Sequence, residues 1–374
     1  MSTCNMSRVR SRAACVPATA AMLLGLSCAS VATAQSIVNI GVSPGGSWSG
    51  ASAVSGNGSA VAANVDMMSA YRWTGSGLTS IGLLPGAFAG SAEDISADGS
   101  AIVGNAFFDM PEETVRAYRW TSSGGMQNLG TLDGHFASIG YGISGDGSIV
   151  TGASLDADFN STAFRWTSGN GMQSLGTLNG GISSEGRRVS HDGSTIVGVS
   201  GSADGDRAFR WTSSGGMQNL GVLSSEDASS SAYGVSADGS VVTGFSGNVA
   251  VIWVNGVAQS LGALNGADFA VAYTSNADGS VIGGYSFIGF SAYATMWSQE
   301  LGLVDLNSYL PTLGIDLTGW QLQYTRDISF DGNTIVGEGM FNGEFRGWVV
   351  TVPAPGSAGV LIAAGAMMSR RRRA

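Results

Sequence analysis

Residues 138–178 read SIGYGISGDGSIVTGASLDADFNSTAFRWTSGNGMQSLGTL, and this stretch decides the fold. It holds an Asp-Gly turn (Asp146, Gly147), an Arg-Trp pair (Arg165, Trp166) and a Leu-Gly pair (Leu175, Gly176). Each landmark sits in or beside a short run of alternating or β-branched residues, which predicts four strands: YGIS, SIVTGAS, AFRWT and MQSLGTL. Asp-Gly between two such runs is a hairpin signal, because glycine supplies the positive φ the turn needs. Ser-Gly-Asn-Gly at 168–171 marks the second hairpin in the same way. One unit is therefore a four-stranded antiparallel meander.

The unit recurs. Its turn aspartate returns as Asp98, Asp146, Asp192, Asp238, Asp278 and Asp331, with Asn57 in the equivalent place. Its tryptophan returns as Trp73, Trp120, Trp166, Trp211, Trp253, Trp297 and Trp348, at spacings of 47, 46, 45, 42, 44 and 51 residues. An apolar-Gly pair begins at Ile40, Ile81, Leu129, Leu175, Leu220, Leu261 and Leu301. A period near 45 with four strands per unit is the signature of a β-propeller blade. Parallel β-helix coils repeat over shorter lengths.

The phase of the repeat points to a closed ring. The chain enters the pattern on an apolar-Gly element (36–41) and leaves it on a Trp element (345–350). The two halves complete one blade, so the N-terminal strand removes the sheet edges that an open solenoid would have to cap. The expected fold is all-β: a seven-bladed propeller of four-stranded antiparallel blades over 35–352, closed by its N-terminal strand.

The two ends read as addresses. Arg8, Arg10 and Arg12 precede a short apolar run at 20–26, and Ala32-Thr33-Ala34 offers a small-x-small cleavage site, so 1–34 reads as a secretory signal peptide. All three cysteines (Cys4, Cys15, Cys28) fall inside it, which leaves the body without a disulfide or thiol chemistry. At the other end, VPAPG with Pro353 and Pro355 precedes an apolar run at 358–368 and the cluster Arg370, Arg371, Arg372 and Arg373. That run is too short for a comfortable membrane span, which needs about 20 apolar residues. The tail over 353–374 resembles a PEP-CTERM sorting signal, which implies an exosortase-type enzyme as a partner. Ala354 stands where the commoner motif has Glu. The two signals imply transient membrane contact, export across the inner membrane, and a final place at the cell surface or in the extracellular matrix. The repeat units (GIS-DGS-IVG, AFRWT, GMQNLGTL) resemble the HAF family of extracellular repeat proteins, which implies a secreted propeller-like fold and no particular activity.

Charge narrows the partners. The chain has 17 basic residues, all arginine, of which seven lie in the two ends. The body keeps ten against 27 acidic residues, a formal −17. Such a surface repels phosphate backbones, so nucleic acid is not expected as a partner. Acidic residues that keep a Gly/Ser-rich secreted protein soluble are the plainest explanation of the charge.

The landmarks have structural duties. Small residues of the first strand (232–236, AYGVS) suit the crowded edge near the axis. Tryptophans in every third strand would fill the wedge between blades, and the turn aspartates would bond their own backbone. Arg precedes Trp at Arg72, Arg119, Arg165 and Arg210 but not elsewhere, so a required Arg-Asp pair per blade is excluded and four local ion pairs are left open. The block 303–323 departs from the repeat and reads as a long connection with a short helical turn over 304–310, before Pro311.

Catalytic motifs are wanting. The two histidines, His135 in a loop between blades and His191 in an Asp-Gly turn, belong to opposite ends of a propeller. No nucleophile elbow, P-loop or HExxH occurs. Two functions from different classes remain. The preferred one is a non-enzymatic binding propeller whose variable loops engage a glycan such as an extracellular polysaccharide, a surface protein or a cation. The alternative is a carboxylate-based glycan hydrolase or lyase at the propeller mouth, favoured if a carboxylate with a raised pKa stands near the axis. The loops between second and third strands carry the candidate residues Asp109, Glu112, Glu113, Asp156, Asp158, Asp204 and Asp206. No cofactor is expected, with calcium left open at these acidic loops.

Overall fold

The computed structural model describes residues 36–66, 68–109 and 114–352. Seven four-stranded antiparallel sheets form the blades of a β-propeller. Six are consecutive meanders, here blades 1 to 6, whose innermost strands are Ser49–Val54, Ala89–Ile95, Ala137–Ile143, Ser184–Val189, Ser230–Val235 and Phe269–Ser275. Blade 7 is composite. Trp320–Ile328, Thr334–Phe341 and Glu344–Thr351 supply its first three strands, and Ser36–Asn39 pairs antiparallel as its outermost one. Ile37 lies opposite Val350 and Asn39 opposite Trp348, so chain start and chain end share one sheet. The predicted closure is the observed one.

Each Asp-Gly hairpin is a small network fixed by its sequence. In blade 2, Asp98 Oδ1 accepts from Ser100 N at 2.9 Å and from Ser96 Oγ at 2.8 Å. Ser96 Oγ in turn accepts from Ala101 N at 2.9 Å. Gly99, at φ 73°, makes the turn possible. These hairpins also tie the ring together. The residue before or at the turn aspartate donates its N–H to the next blade: Ala97 to Gly145 O (2.9 Å), Gly145 to His191 O (3.0 Å) and Asp192 to Ala237 O (3.3 Å). Ala237 to Ala277 O (2.8 Å), Ala277 to Phe330 O (3.2 Å), Phe330 to Gly56 O (2.9 Å) and Asn57 to Ala97 O (3.4 Å) complete the circle. At about 1 kcal/mol apiece, this hoop is a modest but cooperative clasp at one end of the axis.

Between blades lies the apolar core. Seven clusters of buried residues match the seven wedges, each drawing on adjacent blades, as where Val197 and Ala208 of blade 4 meet Val242 and Trp253 of blade 5. The repeated tryptophans all stand in third strands; Trp166, Trp253 and Trp348 are buried and the other four are half-buried. Three of the arginines beside them serve the next blade, with no carboxylate paired to them among the described residues. Arg72 Nε donates to Gly99 O at 2.8 Å, Arg119 Nε to Gly147 O at 2.6 Å, and Arg210 Nε to Gly239 O at 3.3 Å. In the irregular block the helix covers Leu306–Thr312, capped by Asp305, whose side chain accepts from Asn307 N. It starts later than expected and runs through Pro311, which as the sixth residue of the helix forfeits one i→i−4 hydrogen bond. Leu306 and Leu310 anchor it in the core of blades 6 and 7.

Candidate functional site: a blind cup on the propeller axis

Every innermost strand carries a β-bulge at the same place. The ladder to the second strand skips Ser52, Glu93, Tyr141, Arg187, Tyr233, Tyr273 and Arg326, one per blade. Each stands five residues before the Asp (or Asn57) of its turn. A bulge leaves one residue unpaired and re-aims its side chain. Opposite the bulge the second strand has Gly104, Gly152, Gly198, Gly244, Gly284 or Gly337 in blades 2 to 7, where an added Cβ would overlap a carbonyl oxygen of the inner strand, and Ala63 in blade 1. The glycine of the repeated IVG-type triplet is thus the sequence's provision for the bulge.

The re-aimed residues ring the axis, all half-buried. Ser52, Glu93, Tyr141, Arg187, Tyr233 and Tyr273 line a cavity of about 130 Å³ floored by Arg188. Blades 4 to 7 build one side as a stacked arc. The Arg187 guanidinium lies 4.5 Å from the Tyr233 ring centroid, and Tyr233 stacks on Tyr273 at 5.3 Å. Arg326 sits 5.5 Å from Tyr273 and 4.8 Å from Tyr324, which meets Tyr285 edge-on at 5.1 Å. Carboxylates hold both arginines in place: Glu185 Oε2 accepts from Arg187 Nη2 at 3.0 Å, and Glu338 Oε2 from Arg326 Nη2 at 2.7 Å. On the facing side stands Glu93, accepting from Ser91 Oγ at 2.7 Å and Asn105 Nδ2 at 3.3 Å. Burial pushes its pKa above the ordinary carboxylate range. Desolvation also raises the Tyr141 and Tyr285 hydroxyls to about 12, so both remain neutral donors.

The next residue of each inner strand closes the floor. Arg188 Nη1 contacts Asp94 Oδ1 at 2.6 Å, and its Nη2 lies 3.6 Å from Asp327 Oδ1. Asp94 Oδ2 accepts from Ile143 N at 3.0 Å, while Asp327 accepts from Val54 N at 3.0 Å and Thr274 Oγ1 at 2.6 Å. Blades 2, 4 and 7 thereby meet on one guanidinium, blades 1, 3 and 6 bind its two carboxylates, and the axial passage is blocked. Beyond the plug, at the Asp-Gly end, lies a second opening of only about 70 Å³. Its mouth is narrowed by His191, packed edge-on to Phe330 at 4.7 Å. The cup opens at the other end, where the variable loops lie. Large exposed apolar side chains gather at that end too, among them Phe88, Phe136, Phe159, Ile182 and Phe290.

The loop carboxylates expected from the sequence occupy that end's rim. Asp109, Asp158, Asp204 and Asp206 are exposed. Asp156 Oδ1 accepts from Asp158 N and Asn160 N, each at 2.9 Å, so it organises its own loop. Glu112 and Glu113 lie outside the described residues, as do 1–35 and the whole tail with Pro353, Pro355 and Arg370 to Arg373. Among the described residues no three His, Cys, Asp or Glu side chains converge as metal ligands. The description of the first strand as small residues suited to the axis needs one correction. Small residues flank the bulge, but the bulged position itself is large and polar in six blades, because a ring of seven strands leaves a central space to fill. The recurring offset of five before the turn was the signal that could have found it.

No family model and no curated protein matches this chain. Solved structures match in fold. An oligogalacturonate lyase in complex with manganese aligns at TM-score 0.55 and 12% identity, over 85% of this chain and 93% of that one. An oligogalacturonate lyase from Vibrio parahaemolyticus aligns at TM-score 0.54 and 11% identity, over the same shares of 85% and 93%. TolB from Acinetobacter baumannii aligns at TM-score 0.45 and 14% identity; the alignment covers 68% of this chain but 62% of that one. At such identities the likeness concerns the propeller fold alone.

Proposed function

We propose that this chain is an exported glycan-binding propeller that holds its ligand in the axial cup at the loop end. The observation that carries the reading is the ring of bulged residues: tyrosines, arginine pairs and one buried carboxyl around a cavity floored by Arg188. Aromatic faces beside fixed hydrogen-bonding groups suit sugar rings, which present apolar C–H faces and polar edges. A blocked floor admits the end or a protruding branch of a glycan but not a threaded chain. Export rests on the sequence of 1–34, and surface sorting on the tail's resemblance to a PEP-CTERM signal.

A second reading is supported by Glu93. A buried carboxyl near the axis with a raised pKa is the form a general acid takes in glycan cleavage. The carboxylate partner such a reaction needs would be Glu338, which is already committed to Arg326 through both its Nε (2.9 Å) and Nη2 (2.7 Å). Binding is therefore favoured over cleavage. An array of polysaccharides and oligosaccharides tests both, with products followed in solution. Retention that Tyr273→Ala weakens at least tenfold, without chain shortening, supports binding. Shortening abolished by Glu93→Gln supports cleavage, and no retention of any glycan refutes the reading.

A further inference from the structure

Beside the cup, between the loop-end edges of blades 4 and 5, lies a separate pocket of about 240 Å³ that shares Arg187 and Tyr233 with it. Most serines around it belong to the scaffold. Ser184 Oγ donates to Gly176 O at 2.6 Å and accepts from Ala163 N at 2.9 Å. Ser230 Oγ donates to Gly221 O at 2.6 Å and accepts from Ala208 N at 3.0 Å. Ser138 makes the same pair of bonds in blade 3, with Gly130 O and Ala117 N. Ser231 is different. It borders the pocket at 4% exposure, and its Oγ has no hydrogen-bond partner among the described residues. The corresponding residues of the flanking blades are Glu185 and Val271, so the hydroxyl is no part of the repeat. Arg187 Nε, on the wall shared with the cup, is likewise buried and has no partner among the described residues. Two buried donors left unmet beside an open volume are costly unless a ligand meets them.

Resting on the glycan-binding reading of the cup, we propose that this pocket is a second subsite, which takes an uncharged sugar ring next to the one in the cup. Arg187 Nε and Ser231 Oγ donate to ring or hydroxyl oxygens. Glu185 and Asp206 accept from sugar hydroxyls, and Val199 and Phe245 supply the apolar wall. The two carboxylates outnumber the one guanidinium, so the pocket repels a uronate. The ligand then runs outward from the axis over Arg187 and Tyr233, not along the axis.

Calorimetry on the full chain tests this with named probes: glucose, the maltose and cellobiose series to six units, and oligogalacturonates as the acidic comparison. The expected result is at least a tenfold gain in affinity for a neutral sugar as a second unit is added. Combining Asp206→Asn with Ser231→Ala removes at least fivefold of that gain and leaves single-unit affinity within twofold. Tyr273→Ala, in the cup, weakens single-unit binding itself. A gain that survives the double substitution, no gain with a second unit, or a preference for oligogalacturonates overturns the subsite while the cup reading stands. Absence of binding by every probe overturns both.

Discussion

Arg188 of blade 4 reaches across the propeller axis to Asp94 of blade 2, with Nη1 2.6 Å from Oδ1. Both side chains are almost wholly buried, and Asp327 of blade 7 completes the triad at 3.6 Å. The contact makes the cup blind. It also makes the plug vulnerable, because one cation serves two carboxylates.

Arg188→Met should therefore destabilise the protein by about 3–5 kcal/mol at neutral pH, as expected when one partner of a buried ion pair is removed. Asp94, whose pKa burial already pushes upward, would then bind a proton more readily than in the unfolded chain. Groups whose folded pKa is raised stabilise at low pH and lose that contribution as pH rises. The gap between variant and parent should accordingly narrow as pH falls from 7 to about 5, measured by thermal melts. A constant gap contradicts the account of the plug.

The Asp-Gly turns predict acid behaviour of the opposite sign. Hydrogen bonds from the following N–H and neighbouring hydroxyls lower the pKa of Asp98 and Asp278 and bring Asp238 to about 2. Asp146, Asp192 and Asp331 are lowered as well, their hydrogen bonds outweighing desolvation. A depressed folded pKa contributes stability above the unfolded value of about 3.9, and the contribution is lost as pH falls toward 2. Melting temperature should thus drop steeply between about pH 4 and 2, softened by Glu93, whose raised pKa works the other way. Asn57 is a built-in control, since its Oδ1 accepts from Ser59 N at 3.0 Å without titrating. Asp238→Asn should fold normally and flatten part of the acid slope.

The bulge makes a sharper demand on one glycine. At Gly152 a Cβ would overlap the Ile139 carbonyl oxygen and crowd Phe164. Gly152→Ala should cost at least about 1–3 kcal/mol through forced backbone shifts. In urea melts the midpoint should fall, whereas the same change at exposed Gly169, where a Cβ meets nothing, should leave it nearly unmoved.

Closure by the first strand is testable by deletion. Without 36–41, the third strand of blade 7 loses its outer partner and the ring gains an open edge. The truncated chain should lose its single cooperative transition in calorimetry. A melt matching that of the intact chain contradicts closure.

The scaffold was legible in the sequence because it is repeated. Asp-Gly, Trp and apolar-Gly each answer a local need that recurs in every blade, so period and phase give blade number and closure. The cup was hidden for the converse reason. Ser52, Glu93, Tyr141 and Arg187 occupy one structural position, and no one residue type marks it in every blade, so only the offset recurs throughout. Likewise Arg188, Asp94 and Asp327 meet only because the ring brings blades 2, 4 and 7 together; 233 residues of chain separate the two aspartates. The loop carboxylates stood out by composition, yet Asp156 is bound up in its own turn.

The central claim is that the working surface is the axial cup at the loop end. Carbene footprinting of the full chain, free and saturated with the glycan best retained on the array, tests it most directly. Protection is predicted at Tyr141, Arg187, Tyr233 and Tyr273, with none at His191 and Phe330 on the opposite face. Protection confined to the Asp-Gly end, or to the outer rim with the tyrosines still labelled, would contradict it.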